Sequence, residues 1–218
     1  MTQEILKNSD IIHFLKTTCP GTGFIDSLKI KYRPLISPFT DLIKKVKPAE
    51  KVADIGCGSG QFLLLLSKFA SPSSLSGFEI NPRLIDNANS LFNSMPATIH
   101  YNFSLFDGIN FPETLKEMDR VFLIDVFHHV PKAMQETFIK NLCSALKPGA
   151  ELVFKDINAA SPLVYFNKLH DIIFAGEIGN EWPMEKIVKT LHEQGLKITE
   201  KYKRRIYAYP HYTIVAKK

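Results

Sequence analysis

No stretch of the 218 residues approaches the roughly 18 consecutive apolar residues of a membrane span. Cysteine is scarce. Cys19, Cys57 and Cys143 make neither a disulfide framework nor a zinc spacing, and read as reduced, structural residues. No internal repeat or biased tract suggests a solenoid or a disordered chain. The N-terminus carries Glu4 and Asp10 among its apolar residues and lacks a signal-peptide core, so a cytoplasmic protein is expected. What remains is a globular composition, 45% hydrophobic and 22% charged, at a length that one domain can fill. The net charge of +5 is dispersed. Its densest part, Lys201, Lys203, Arg204 and Arg205, alternates with tyrosine on a late strand. That part reads either as a solvated edge that discourages strand pairing or as a phosphate-binding patch.

The chain is organised around residues 51–62, Lys-Val-Ala-Asp-Ile-Gly-Cys-Gly-Ser-Gly-Gln-Phe. A short apolar run, three glycines at alternate positions and a run of leucines predict strand, tight turn and helix in that order. Glycine suits a turn that must bring its backbone close to a ligand, and the free N–H groups of the following helix face the same way. The spacing is G-x-G-x-G, not the G-x-G-x-x-G of a dinucleotide site, and Asp54 at the strand end would repel a pyrophosphate. A ligand with a cationic amino group and a sulfonium would be attracted instead.

In these residues the stretch resembles motif I of the class I S-adenosylmethionine-dependent methyltransferases. The resemblance implies cofactor contacts at Asp54, Gly56, Cys57 and Gly58. Glu79 ends the next strand, 25 residues after Asp54, where a carboxylate of the family binds both ribose hydroxyls, with Ile80 beside it. Phe106 and Asp107, after a third strand over 98–103, approximate the family's adenine contacts.

A fourth strand over 119–125 ends in Asp125-Val126-Phe127-His128-His129-Val130-Pro131. This is similar to the Asp-x-x-x-His-His-Val-Pro pattern of many small-molecule members, including quinone-pathway groups. The resemblance places Asp125 and Val126 on the methionine part of the cofactor and the two histidines near the transferring methyl. His128 and His129 are candidate catalytic bases, and equally candidate buried posts that fix the loop. Asp125, Asp156 and Asn158 at adjacent strand ends also admit a magnesium reading, although Asp-Ile-Asn departs from the Asp-Asn pair of such enzymes; no metal is expected.

Residues 1–47 are expected to form a helical cap with two helices, the second carried by Leu35, Phe39, Leu42, Ile43 and Val46. Residues 157–182 form an insertion, read either as packing on the sheet or as a lid over an apolar acceptor. Asp156, Tyr165, His170 and Trp182 are candidate acceptor contacts. Helices between the early strands make them parallel, whereas the last two strands, linked by a turn expected at Tyr209-Pro210, must be antiparallel. The resemblance, over residues 45–218, implies a three-layer α/β fold whose seven-stranded, mostly parallel sheet has the order 3-2-1-4-5-7-6. It implies direct, in-line transfer of a methyl group to a small apolar or aromatic acceptor, at oxygen or carbon, with S-adenosylhomocysteine as the product. An RNA or protein acceptor and a non-catalytic binding protein are the alternatives. Nucleic acid is not the expected partner, peripheral membrane contact stays open, and either a monomer or a homodimer is compatible.

Overall fold

In the computed structural model, the described residues are 6–18, 36–94, 99–174, 176 and 178–218, the side chains of 170, 171 and 174 apart. Five parallel strands carry the centre of the sheet: β1 (Lys51–Ile55), β2 (Ser74–Glu79), β3 (His100–Leu105), β4 (Arg120–Ile124) and β5 (Glu151–Ile157). The chain closes with β6 (Lys197–Ile206) and β7 (Tyr209–Lys217), and β7 runs antiparallel to both β5 and β6. The order is β3-β2-β1-β4-β5-β7-β6, as expected from the sequence.

The central strands are buried on both faces, so their sequences are nearly continuous apolar runs whose side chains alternate between two cores. Val52, Phe122, Val153 and Val215 face one layer, made by α1 (Asn8–Thr18), α2 (Phe39–Ile43), α3 (Gln61–Phe69) and α4 (Pro82–Asn93). Ala53, Val121, Leu123, Leu152, Phe154 and Ile214 face the other, made by α5 (Gln135–Ala145) and α7 (Met184–Glu193). In α7 the buried side is Met184, Ile187 and Leu191, the spacing of one helical stripe. Between β5 and α7 lies α6 (Val164–Phe174).

Cys57 and Cys143 are buried, and burial pushes the Cys143 thiol pKa up to about 12. Cys19 lies outside the described residues. No helix among the described residues is long and apolar enough to cross a membrane.

Three expectations change. The second leading helix is interrupted at Ser37-Pro38: Ile36 is helical before the break, α2 covers Phe39–Ile43 after it, Val46 lies beyond its end, and Leu35 is outside the described residues. The last hairpin turns at Tyr207-Ala208, not at Tyr209-Pro210. Tyr207 takes the left-handed conformation (φ 52°) that two-residue hairpin turns use, and Pro210 pairs with Arg205 near the start of β7, where a missing N–H is tolerated. The third strand is described from His100 and extends to Leu105, two residues past its expected end.

Candidate active site

β1 and β4 are neighbours in the sheet, but the chain leaves them for opposite sides: β1 leads towards β2 and β3, β4 towards β5. A crevice opens at the carboxyl ends of the strands at such a switch point. Here β1 ends in Gly56, Gly58 and Gly60, all left-handed, with φ of 71°, 55° and 77°. The turn is pinned by the N–H groups of Gly56 and Cys57, which donate to the Phe78 carbonyl at 2.7 and 3.1 Å. Two of these glycines answer different needs. A Cβ on Gly56 would lie 2.3 Å from Cγ2 of Val126, so the loop after β4 packs directly on this backbone. A Cβ on Gly58 would meet nothing within 4 Å, so the turn keeps an open face there.

Glu79, at the end of β2, is buried and accepts three backbone hydrogen bonds: from Gly58 at 3.0 Å, Ile80 at 2.8 Å and Asn81 at 3.1 Å. Its carboxylate thereby ties the glycine turn to the entry of α4. Asp54, the fourth residue of β1, is also buried. The N–H of Phe106 donates to the Glu79 carbonyl at 3.1 Å, which brings the end of β3 to the same place; the Phe106 ring packs on Phe111 at 5.6 Å. Asp107 is exposed and closes its own loop by accepting from the N–H groups of Ile109 and Asn110. Hydrogen bonds from the Asn110 backbone and side chain, with that from Ile109, hold its carboxyl below the usual range.

Beyond β4, Asp125 has a left-handed backbone (φ 55°), and its carboxylate accepts from the Lys155 ammonium at 2.5 Å. His128 is buried; its Nδ1 lies 2.5 Å from Oδ1 of Asp156, and its backbone N–H donates to Oδ2 at 3.1 Å. His129 is half-buried, its ring 4.0 Å from that of His128. Asp125 and Asp156 therefore engage opposite faces of the sheet, and no group of three metal-ligating side chains occurs among the described residues.

The structure gathers Asp54, Gly56, Cys57, Gly58, Glu79, Ile80, Phe106, Asp125 and Val126 around the crevice, and joins His128 to Asp156. Tyr165 is exposed on α6, at 72%, whereas Trp182 is core, its ring 5.1 Å from Phe127 and edge-on to it. The His170 side chain lies outside the described residues. Lys155 and His211, both buried in the sheet, were not anticipated. The one signal was a lysine directly after the apolar run Leu152-Val153-Phe154.

A family model described as a methyltransferase domain matches residues 28–201. The chain belongs to the class I S-adenosylmethionine-dependent methyltransferases. It is similar to a tRNA U34 carboxymethyltransferase of Campylobacter hominis, 31% identical over 122 residues, which are 56% of this chain and 39% of that protein. It is also similar to a 2-phytyl-1,4-naphtoquinone methyltransferase of Synechococcus elongatus, 28% identical over 120 residues, 54% of this chain and 51% of the other. The match thus spans about half or less of these curated relatives. Among solved structures, the magnesium protoporphyrin IX methyltransferase of Synechocystis PCC 6803, with bound S-adenosylhomocysteine, superposes with a TM-score of 0.70 at 16% identity. The overlap covers 97% of this chain and 100% of that one. S-adenosylmethionine is the methyltransferase's cofactor, and the residues fit it: an open glycine face at Gly58, and buried carboxylates at Asp54 and Glu79 towards a cationic ligand.

Proposed function

We propose that this methyltransferase transfers a methyl group to the oxygen or carbon of a small acceptor with an apolar or aromatic body. The observation that carries the reading is the meeting, at one end of the sheet, of the open glycine turn and the loop Asp125 to Val130. The insertion that follows β5 supports it: α6 leaves Tyr165, Phe166, Leu169, Ile172 and Ile173 exposed, an apolar face suited to a lid. The quinone-methylating relative adds weight to an apolar ring as acceptor.

The cofactor supplies an electrophilic methyl on sulfur. The residues of the chain bind, orient and desolvate. Asp54, Gly56, Cys57, Gly58, Glu79 and Ile80 hold the amino-acid and ribose parts; Phe106 and Asp107 hold the base; Asp125 and Val126 flank the methionine. Positioning two reactants in line supplies most of the rate, and a base is needed only where the acceptor loses a proton. His128, oriented by Asp156 at Nδ1, and His129 beside it are the two candidate bases. Residues 1–47 are read as a cap over this end.

The test is calorimetric titration with S-adenosylmethionine, S-adenosylhomocysteine and NAD, followed by a screen of phenolic, quinol and lipid acceptors for release of S-adenosylhomocysteine. Binding of the first two and not of NAD, with turnover on one acceptor class, is the expected result. Tight cofactor binding without turnover on any acceptor would instead favour a binding protein. A second reading, an RNA acceptor, draws on the exposed Lys203 and Arg205 of β6 and on the tRNA-acting relative. Steep salt dependence of RNA binding would favour it.

A further inference from the structure

Gln135 opens α5 and is fully buried. Its Nε2 donates to two carbonyls, that of Phe127 at 3.3 Å and that of Asn180 at 2.7 Å. The N–H of Asn180 in turn donates to the His128 carbonyl at 2.7 Å. One side-chain amide thus joins the histidine loop after β4 to the segment between α6 and α7, and Asn180 closes the link with both of its backbone groups.

The same segment is fastened to α6. The Lys168 ammonium donates to the Gly179 carbonyl and to Oε2 of Glu181, both at 2.6 Å, and Nδ2 of Asn167 donates to Oε1 of Glu181 at 3.1 Å. The Glu181 side chain is only 1% exposed, so these bonds form away from water, where they are stronger. Trp182 follows, packed edge-on against Phe127, with the Lys186 ammonium over its ring. A continuous path therefore runs from Lys168 on α6 through Gly179, Asn180 and Gln135 to Phe127 and His128.

Packing alone does not call for glutamine at this place. Oε1 of Gln135 is buried without a hydrogen-bond partner among the described residues, a cost that an apolar side chain of similar length avoids. What only the amide supplies is donors for the two carbonyls. Asp156 holds His128 from the β5 side, through its ring and its N–H. Gln135 and Asn180 hold the carbonyls of the same turn from the α6 side. Reacting side chains need such support to keep a productive geometry.

We infer that Gln135 is a positioning residue for the transfer: through Asn180 it couples the placement of His128 and His129 to the seating of α6, whose apolar face meets the acceptor. This rests on the function proposed above. An acceptor seated against α6 then bears on the two candidate bases through the hydrogen-bonded path as well as directly.

The test is NMR of the full chain saturated with S-adenosylhomocysteine, following the imidazole nitrogen signals and the exchange of backbone N–H groups. Gln135→Met keeps the length of the side chain and removes its donors, while the Phe127 carbonyl retains the N–H of Val130 at 3.1 Å. The expected result is that the His128 and His129 ring signals move, and that the N–H groups of Asn180 and His128 exchange at least about tenfold faster, beyond any change at Val153 in the core of β5. A side chain that only adds stability would speed all of these together and leave the ring signals in place. Lys168→Met acts at the surface end of the path, where the side chain is 29% exposed, and should move the same histidine signals. Combined with Gln135→Met it should add no further shift, because the path is already cut. Histidine signals that stay in place in either variant, or shifts that simply add in the double variant, overturn the positioning role alone. If Gln135→Met does not fold, the Lys168→Met spectrum decides by itself. Failure of the unaltered chain to bind S-adenosylhomocysteine takes down the proposed function and this role with it.

Discussion

His128 and Asp156 are joined twice, through the imidazole Nδ1 at 2.5 Å and through the backbone N–H of His128 at 3.1 Å. The N–H of Ile157 shares the same carboxylate, at 2.7 Å from Oδ1. Asp156 thereby fastens the loop after β4 to the end of β5, and both side chains are buried. Asp156→Ala leaves three donors without their acceptor. At about 1–3 kcal/mol for each buried group left unsatisfied, a loss of roughly 3 kcal/mol or more is expected in urea unfolding. A loss below about 1 kcal/mol would show that water replaces the carboxylate at little cost. His128→Gln keeps a donor near Asp156 and should retain more of the stability. If His128 takes the proton of the acceptor, turnover falls about 10²-fold or more in that variant at unchanged cofactor affinity.

Gly56 and Gly58 separate fold from binding. Gly56→Ala combines a left-handed backbone with a Cβ 2.3 Å from Val126, and should lower the melting temperature markedly as the two loops part. Gly58→Ala carries only the conformational cost of its φ of 55°, about 1–2 kcal/mol, because its Cβ meets nothing. That variant should stay folded and bind S-adenosylhomocysteine at least about tenfold more weakly, or about 1.4 kcal/mol. Wild-type affinity in Gly58→Ala would remove the open face of the turn from the cofactor site.

Glu79 serves the turn and the proposed ribose site with one carboxylate. Its two oxygens accept from Gly58, Ile80 and Asn81. Glu79→Gln keeps the volume but turns one acceptor into an NH₂ group, which must face one of these N–H donors. Cofactor affinity should drop by about tenfold or more. Unchanged titration curves for this variant and for Asp54→Asn would sink the carboxylate assignments.

How much of this was legible beforehand follows from what is local. The strand-turn-helix at 51–62, the acidic ends of β1 and β2 and the Asp125 to Pro131 segment declare themselves through adjacent residues, and each stands where expected. The pairing of Lys155 with Asp125, and of His128 with Asp156, depends on which face of a doubly buried strand each side chain takes. Register with β4 and β7 decides that, and no local pattern reports it. Lys155 directly after an apolar run was the visible irregularity. The insertion shows the same limit. Tyr165 and Trp182 are both large aromatic residues in one segment, yet α6 turns Val164 and Asn167 inward and Tyr165 outward, while Trp182 continues the Phe127 and Phe154 cluster.

At the opposite end of the sheet from the crevice, Arg120 is buried between two glutamates. It donates to Glu50 through Nε at 2.8 Å and Nη2 at 3.0 Å, and pairs with Glu151 through Nη1 at 2.7 Å. Removing the cation leaves two carboxylates facing an emptied site, so Arg120→Ala should cost about 3–5 kcal/mol. Burial by itself raises the Glu151 pKa, but the Arg120 charge and hydrogen bond, with Lys47, outweigh it and hold the carboxyl below its ordinary 4.5. A carboxyl depressed in the folded state binds fewer protons than in the unfolded chain. Its contribution is therefore complete above the ordinary value and lost as pH falls through the lower folded one. Unfolding midpoints in urea should drop between pH 6 and pH 3.5 in the wild type, and the part of that drop due to this cluster should vanish in Arg120→Ala. Equal acid sensitivity in both proteins would place the acid-labile carboxylates elsewhere, with Asp119, held down in the same way by Lys147 and Lys51, the next to substitute.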